Sequence, residues 1–342
     1  MYSAMLIGCQ YYRFPTLQRP LIFPKSTVML AHHMTRIPDN WLIADIGATT
    51  SRCALLSEGN IRDVRLFIND DTAGPREMLT TFIDEATSTP TGCALAVAAP
   101  IDGDDIQMIN RDWQFSRAWL SELGFERIEI INDFHAIAHA LPTLSDESRI
   151  EIGRATRYRQ GNIAVLGPGS GLGMAAWIAG TAAMSGEGGH ITMSGRNASE
   201  DSIIAALRDR YGHCSAERVL SGPGLTALHE VMHGTAVATS EEITMNPDEP
   251  ANAATMQQFF RFLGSVAAEL ALITGAAGGV YIAGGIVPAC LDQIVSSEFR
   301  SRFEDKNRYR DFMRAIPTWV ITDPYPGLSG LAAYINQGSR VP

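Results

Sequence analysis

Apolar and polar positions along this chain follow two periods. Short apolar runs that stop at Gly, Pro, Asn or Asp read as buried strands, and stretches with apolar residues three and four apart read as helices. From Trp41, WLIADIGATTSRCALL gives strand, Gly-centred bend, strand. Residues 75–86 read as a helix, and 93–99 as a buried strand closed by Pro100. An Asp-rich loop, IDGDDIQMINRDWQFS, leads to a helix over 117–123. Strand character over 128–132 then runs straight into a helical pattern reaching Leu141.

After Pro142 a polar connection precedes IAVLGPGSGLGMAAWI at 163–178, which repeats the Trp41 arrangement. A long apolar helix is expected over 261–277, and a strand over 280–283 stops at Gly284-Gly285, with a helix following Pro288. A last Pro-Gly turn and helix occupy 325–336. Strands alternating with helices predict a mainly parallel α/β sheet. Two strand–bend–strand units about 120 residues apart predict duplicated domains facing one cleft.

Composition narrows the classes. The chain has 342 residues, 46% hydrophobic and 19% charged, which suits two domains or one large one. No run of eighteen apolar residues occurs, so no membrane span is expected. A net charge of −10 argues against nucleic acid as a partner, because such affinity comes from Lys and Arg meeting phosphates. An anionic substrate would need neutralisation by backbone amides and a metal ion. Cys9, Cys53, Cys93, Cys214 and Cys290 are scattered, without zinc-type or CxxC spacing, the pattern of a reducing compartment.

Five places carry candidate chemistry. Asp133 falls where a strand's C-terminal end meets a helix, the usual ligand position in α/β folds. There it acts as a helix cap or takes a proton from a substrate hydroxyl, while Asn132 offers a donor and an acceptor to the same polyol. The first bend, with Asp45, Gly47, Thr49, Thr50 and Arg52, is either an ordinary hairpin turn or an amide cradle for phosphate, with Asp45 holding a hydrated Mg²⁺. Gly167, Gly169, Ser170, Gly171 and Gly173 form the second bend. Their every-second spacing matches neither a Rossmann fingerprint nor a Walker loop. Glu187, His190 and Glu217 are loop groups or sugar ligands; zinc on Glu187, His190, His213 and Cys214 lacks structural-site spacing. Gly284 and Gly285 make a tight turn or let a flat ligand approach the backbone.

Eight segments in order, DIGATTSR, INRDWQFS, IINDF, GPGSGLG, GEGGH, AERVLSGPG, GGVYIAGGIVP and PGLSG, make the chain from Trp41 to about Tyr334 resemble the bacterial-type glucokinases of the hexokinase and actin-like ATPase superfamily. The resemblance implies two α/β domains with duplicated actin/hexokinase-like (ribonuclease H-like) cores around a central cleft. It implies a small domain of 41–142 plus 324–342, a large domain of 143–323, a homodimer, and a cytoplasmic glycolytic enzyme taking glucose and ATP with Mg²⁺. By position, Asp133 matches the family's base, and Asn132, Glu187, His190 and Glu217 its glucose ligands. Asp45 to Thr50 match the first phosphate loop, Gly167 to Gly173 the second, and Gly284-Gly285 the adenosine-side glycines.

Two motifs depart from the family pattern. DxGGTNxR has Ala48 and Thr50 in place of Gly and Asn, and NHxW has Arg111 in place of His. Alanine at a position needing φ > 0 predicts strain, so weakened nucleotide use is the expectation there. A catalytically weak sugar sensor, or a kinase using ADP or polyphosphate, are the alternatives. Residues 1–38 lack Asp and Glu and read as a leader, more a start placed ahead of Met29 or Met34 than a transit peptide.

Overall fold

The computed structural model describes residues 40–338. The leader, Cys9 and the last four residues lie outside them. Two sheets organise the described chain. The first has the order β3-β2-β1-β4-β7, from β1 (Asn40–Ile46), β2 (Thr50–Ser57), β3 (Asn60–Ile68), β4 (Gly92–Val97) and β7 (Arg127–Asn132). Its first three strands meander antiparallel, and β1, β4 and β7 run parallel. A small hairpin of β5 (Asp105–Gln107) and β6 (Gln114–Ser116) stands apart.

The second sheet follows the same plan with one strand added. Its order is β11-β10-β9-β12-β13-β8, from β8 (Arg149–Glu151), β9 (Ile163–Pro168), β10 (Leu172–Ile178), β11 (Ala182–Gly186), β12 (Gly279–Ile282) and β13 (Thr318–Ile321). Here β11, β10 and β9 are antiparallel, β9, β12 and β13 parallel, and β8 closes the edge antiparallel. Neither sheet is the mainly parallel one expected, because each strand–bend–strand unit is an antiparallel hairpin with a further strand laid on its outer side.

The strand β1 shows why this core is apolar on both faces. Side chains alternate across a strand. Leu42, Ala44 and Ile46 enter one buried cluster with Met78, Leu79 and Phe82. Trp41 and Ile43 enter another with Leu328, Leu331, Ala332 and Ile335 of the closing helix Pro326–Gly338. The central helix Asp133–Ala140 belongs to both halves. Its Ala136 packs with the closing helix, while Phe134, Ile137 and Ala138 pack on Val165, Ala175 and Tyr281 of the second sheet. The helix expected over 261–277 begins earlier, spanning Pro250–Thr274 with Pro at its first turn, where a missing N–H costs nothing.

Candidate functional site

The C-terminal end of β7 sets the site. Asn132 has extended backbone and its side-chain oxygen accepts from the N–H groups of Phe134 (2.9 Å) and His135 (3.1 Å). It is therefore the helix cap, and the cap expected of Asp133 sits one residue earlier. Asp133 is the first helical residue. One of its oxygens meets its neighbour's N–H at 2.9 Å, and the carboxylate faces a cleft of about 500 Å³. The Asn132 amide also donates to Ala99 O at 3.3 Å, so it keeps one free N–H for a ligand.

The same cleft is lined by Asp45, Gly47, Gly167, Gly169, Ser170, Gly171, Glu187, His190, Glu217, Gly284 and Gly285 together with Asn132 and Asp133. Thr49 and Thr50 lie on the first bend but outside this lining; Thr49 is exposed. Sequence alone did not assign Arg52, Asn110 or Asp323, which also line the cleft. Arg52 lies two residues past Thr50 in β2 and was legible only as a polar group near the bend. Asp323 accepts from Tyr325 N at 2.8 Å and Ser329 Oγ at 2.7 Å, tying the start of the closing helix to the cleft wall.

Burial governs the electrostatics. It raises the Asp133 carboxyl to about 7; the charges of Asp45 and Glu187 add to the rise, and backbone N–H groups oppose it. Asp45 is also raised by burial, against the pull of Arg52, whose guanidinium stands 3.9 Å away. A carboxylate titrating near neutral pH is suited to accept a proton in catalysis. Arg52 is the one Lys or Arg lining the cleft among the described residues, beside five Asp and Glu side chains.

The two bends are built differently. In the first, Gly47 N donates to Thr50 O (3.2 Å) and Asn69 N to Thr49 O (3.0 Å). The Asn69 side chain, fully buried, donates to Gly47 O (2.8 Å) and Ala48 O (3.2 Å) and accepts from Ser51 Oγ (2.8 Å). Ala48 is not among the non-Gly residues with positive φ, which are Glu58, Asp63 and Asn307. The strain expected of it is therefore absent, because carbonyl anchoring and not an αL glycine shapes this bend.

In the second bend, Gly169 N donates to Gly171 O and Gly222 N to Gly169 O, both at 2.8 Å. Leu172 N donates to Glu217 Oε2 at 2.9 Å. Gly173 and Gly167 face each other across the hairpin, and a Cβ on them would lie 1.9 Å and 2.6 Å from the Phe134 ring. Gly284, at φ +82, would place a Cβ 2.2 Å from Pro168 O. Glu217 N donates to Gly189 O at 2.9 Å, which joins the Glu187–His190 turn to this bend.

Asp45 offers a hard, half-buried oxygen to the cleft, which suits a Mg²⁺ ion that keeps most of its waters. Among the described residues no group of three or more His, Cys, Asp or Glu is placed to hold a metal.

Comparison with known proteins gives concordant findings. The family model described as Glucokinase matches residues 42–338. A glucokinase of Aromatoleum aromaticum is 40% identical over 313 residues, 86% of this chain and 94% of the relative. The solved glucokinase from an Antarctic psychrotroph has a TM-score of 0.78 at 30% identity, covering 87% of this chain and 99% of its own. The glucokinase of Balamuthia mandrillaris, solved in complex with glucose, shares the fold, with a TM-score of 0.71 at 19% identity over 88% of this chain and 94% of its own.

Proposed function

The chain belongs to the glucokinase family, and from that premise we propose that it transfers the γ-phosphoryl group of MgATP to the 6-hydroxyl of glucose. The observation that carries this is Asp133: a carboxylate at about 7, on a helix start, in one cleft with four further sugar-type ligands and both bends.

The 6-hydroxyl hydrogen-bonds ionised Asp133. Its proton passes to that carboxylate as the oxygen attacks phosphorus in line and ADP leaves. Asn132, Glu187, His190 and Glu217 hold the other hydroxyls, each carboxylate accepting from up to two. Glu217 keeps one oxygen for this, its other being bound to Leu172 N. The bends bind phosphate oxygens through amides, the Gly284-Gly285 backbone borders the adenosine, and Arg52 neutralises charge that builds on the transferring group. Bound Mg²⁺, held through water by Asp45, would screen the donor's phosphates.

The five-strand plan common to both sheets supports duplicated cores. Strand membership and the closing helix support a small domain of 41–142 plus 324–342 and a large domain of 143–323. A cytoplasmic setting agrees with the four free thiols buried among the described residues, and a glycolytic role is proposed from the family alone. A homodimer is proposed from the family alone, and light scattering tests it. No described helix is long and apolar enough to cross a membrane.

Glucose and MgATP should yield glucose 6-phosphate in a coupled assay, and Asp133→Asn should cut kcat by about 10²–10⁴ while still binding glucose. Unimpaired turnover by that variant sinks the base assignment. Because the base works ionised, kcat should climb with pH through about 7 and then level off. The raised carboxyl also contributes stability that is complete below its ordinary 3.8 and lost as pH rises through about 7. Asp133→Asn should therefore stabilise the fold at about pH 8 more than at about pH 5 in thermal melts. A donor panel at fixed glucose separates ATP from ADP and polyphosphate. Tight glucose binding without turnover would indicate a sugar sensor, the alternative that Ala48 and Thr50 motivate; Ala48 carries no positive φ, and the donor panel tests the effect of both residues.

A further inference from the structure

The loop between β5 and β6 reaches the cleft at Ile109 and Asn110 and the first bend at Arg111. Asn110 lines the cleft. Arg111 turns the other way: its Nη1 donates to Ala48 O at 3.2 Å, its Nη2 to Asp70 Oδ1 at 2.8 Å, and its guanidinium lies 4.6 Å over the Trp113 ring. Ala48 O is thus shared between Asn69 and Arg111. Every carbonyl from Gly47 to Thr50 is engaged, and among the described residues no protein acceptor takes the Ala48 or Thr49 N–H.

We propose that Arg111 is a positioning residue for the phosphoryl donor: it pins the carbonyl side of the first bend so that the bend's amides are left for phosphate, and it ties that bend to the loop bordering the sugar. This rests on the assignment of the first bend to the donor's phosphates. The planar fork of arginine suits the task, because two ends of one rigid group serve two partners while its face stacks on an indole. An ammonium can meet one such partner but lacks the rigid fork and the flat stacking face. Arg111 and Ala48, two of the three residues that depart from the family's motifs, are in direct contact, and the guanidinium also adds positive charge behind a bend that meets an anion.

The test compares wild type, Arg111→Ala, Arg111→Lys, Asp70→Asn and Asp45→Asn in the full chain, reading kcat, the KM for MgATP, the KM for glucose and the thermal midpoint. Arg111→Ala should raise the MgATP KM about tenfold, the scale of a charge-assisted hydrogen bond to backbone, with the glucose KM changed less than about twofold. Arg111→Lys should recover part of the loss, and Asp70→Asn, which keeps the Ala48 contact, should show a smaller rise. These two also carry the test if the alanine variant does not fold. An unchanged MgATP KM in Arg111→Ala, beside altered donor kinetics in Asp45→Asn, overturns the role of Arg111 alone. Asp45→Asn without effect on donor kinetics removes the donor from the first bend, and the assignment beneath the proposal fails. Equal rises in both KM values with a lowered midpoint that lysine does not relieve also overturn it, since that is the mark of a purely structural residue.

Discussion

The two bends line one cleft and are held in place by different means. The first is held by polar anchors: Asn69 and Arg111 grip its carbonyls, and it tolerates an alanine at position 48. The second is held by missing side chains: Gly173 and Gly167 leave the room that the Phe134 ring fills. The first is specified by hydrogen bonds that can be weakened in steps, the second also by sterics that leave no room for a Cβ at Gly173 or Gly167. Phe134, beside Asp133, is thereby locked to the second sheet, whereas the first bend's carbonyls depend on side chains from elsewhere in the chain.

Breaking the second bend should have the largest effect. Gly173→Val puts atoms into the Phe134 ring and should cost about 3 kcal/mol or more, lowering the thermal midpoint and glucose turnover together; an unaltered melt would show that the ring has room to move. Next comes the first bend's anchor. Asn69→Ala leaves Gly47 O without its side-chain donor and Ser51 Oγ without its acceptor, for about 2 kcal/mol, and should raise the MgATP KM more than the glucose KM. Equal shifts in the two constants would count against a donor role for that bend. The smallest effect is expected of Thr49→Val, at the exposed tip outside the cleft lining. Its stability should stay within about 0.5 kcal/mol of wild type, and a large rise in the MgATP KM would move the tip hydroxyl into the site.

What was legible in the sequence followed from local chemistry. The β1–β2 and β9–β10 hairpins showed because apolar runs flank glycine, and the strand-to-helix junction at Asn132 and Asp133 showed because strand character runs straight into helix. Strands that depend on partners did not show. The three-residue β8 exists through pairing with β13, Ile150 opposite Val320, and β3 carries Arg62 and Arg65 on a half-exposed edge. The β5–β6 hairpin was hidden in an Asp-rich stretch that reads as loop. The Arg111 contact with Ala48 joins residues 63 apart, a distance across which no local pattern speaks. Strain at Ala48 was wrongly expected because a motif's glycine was taken to imply φ > 0, whereas this bend gives that position ordinary backbone.

The closing helix has a consequence for how the chain is made. The core around Trp41 and Ile43 is completed by Leu328, Leu331 and Ile335, from the opposite end of the described sequence. During synthesis the first sheet emerges early and waits with one apolar face uncovered until the second sheet's whole length has followed. That face is a natural client for a chaperone on the ribosome, and the cleft, whose wall includes Pro326, takes shape only when the closing helix docks.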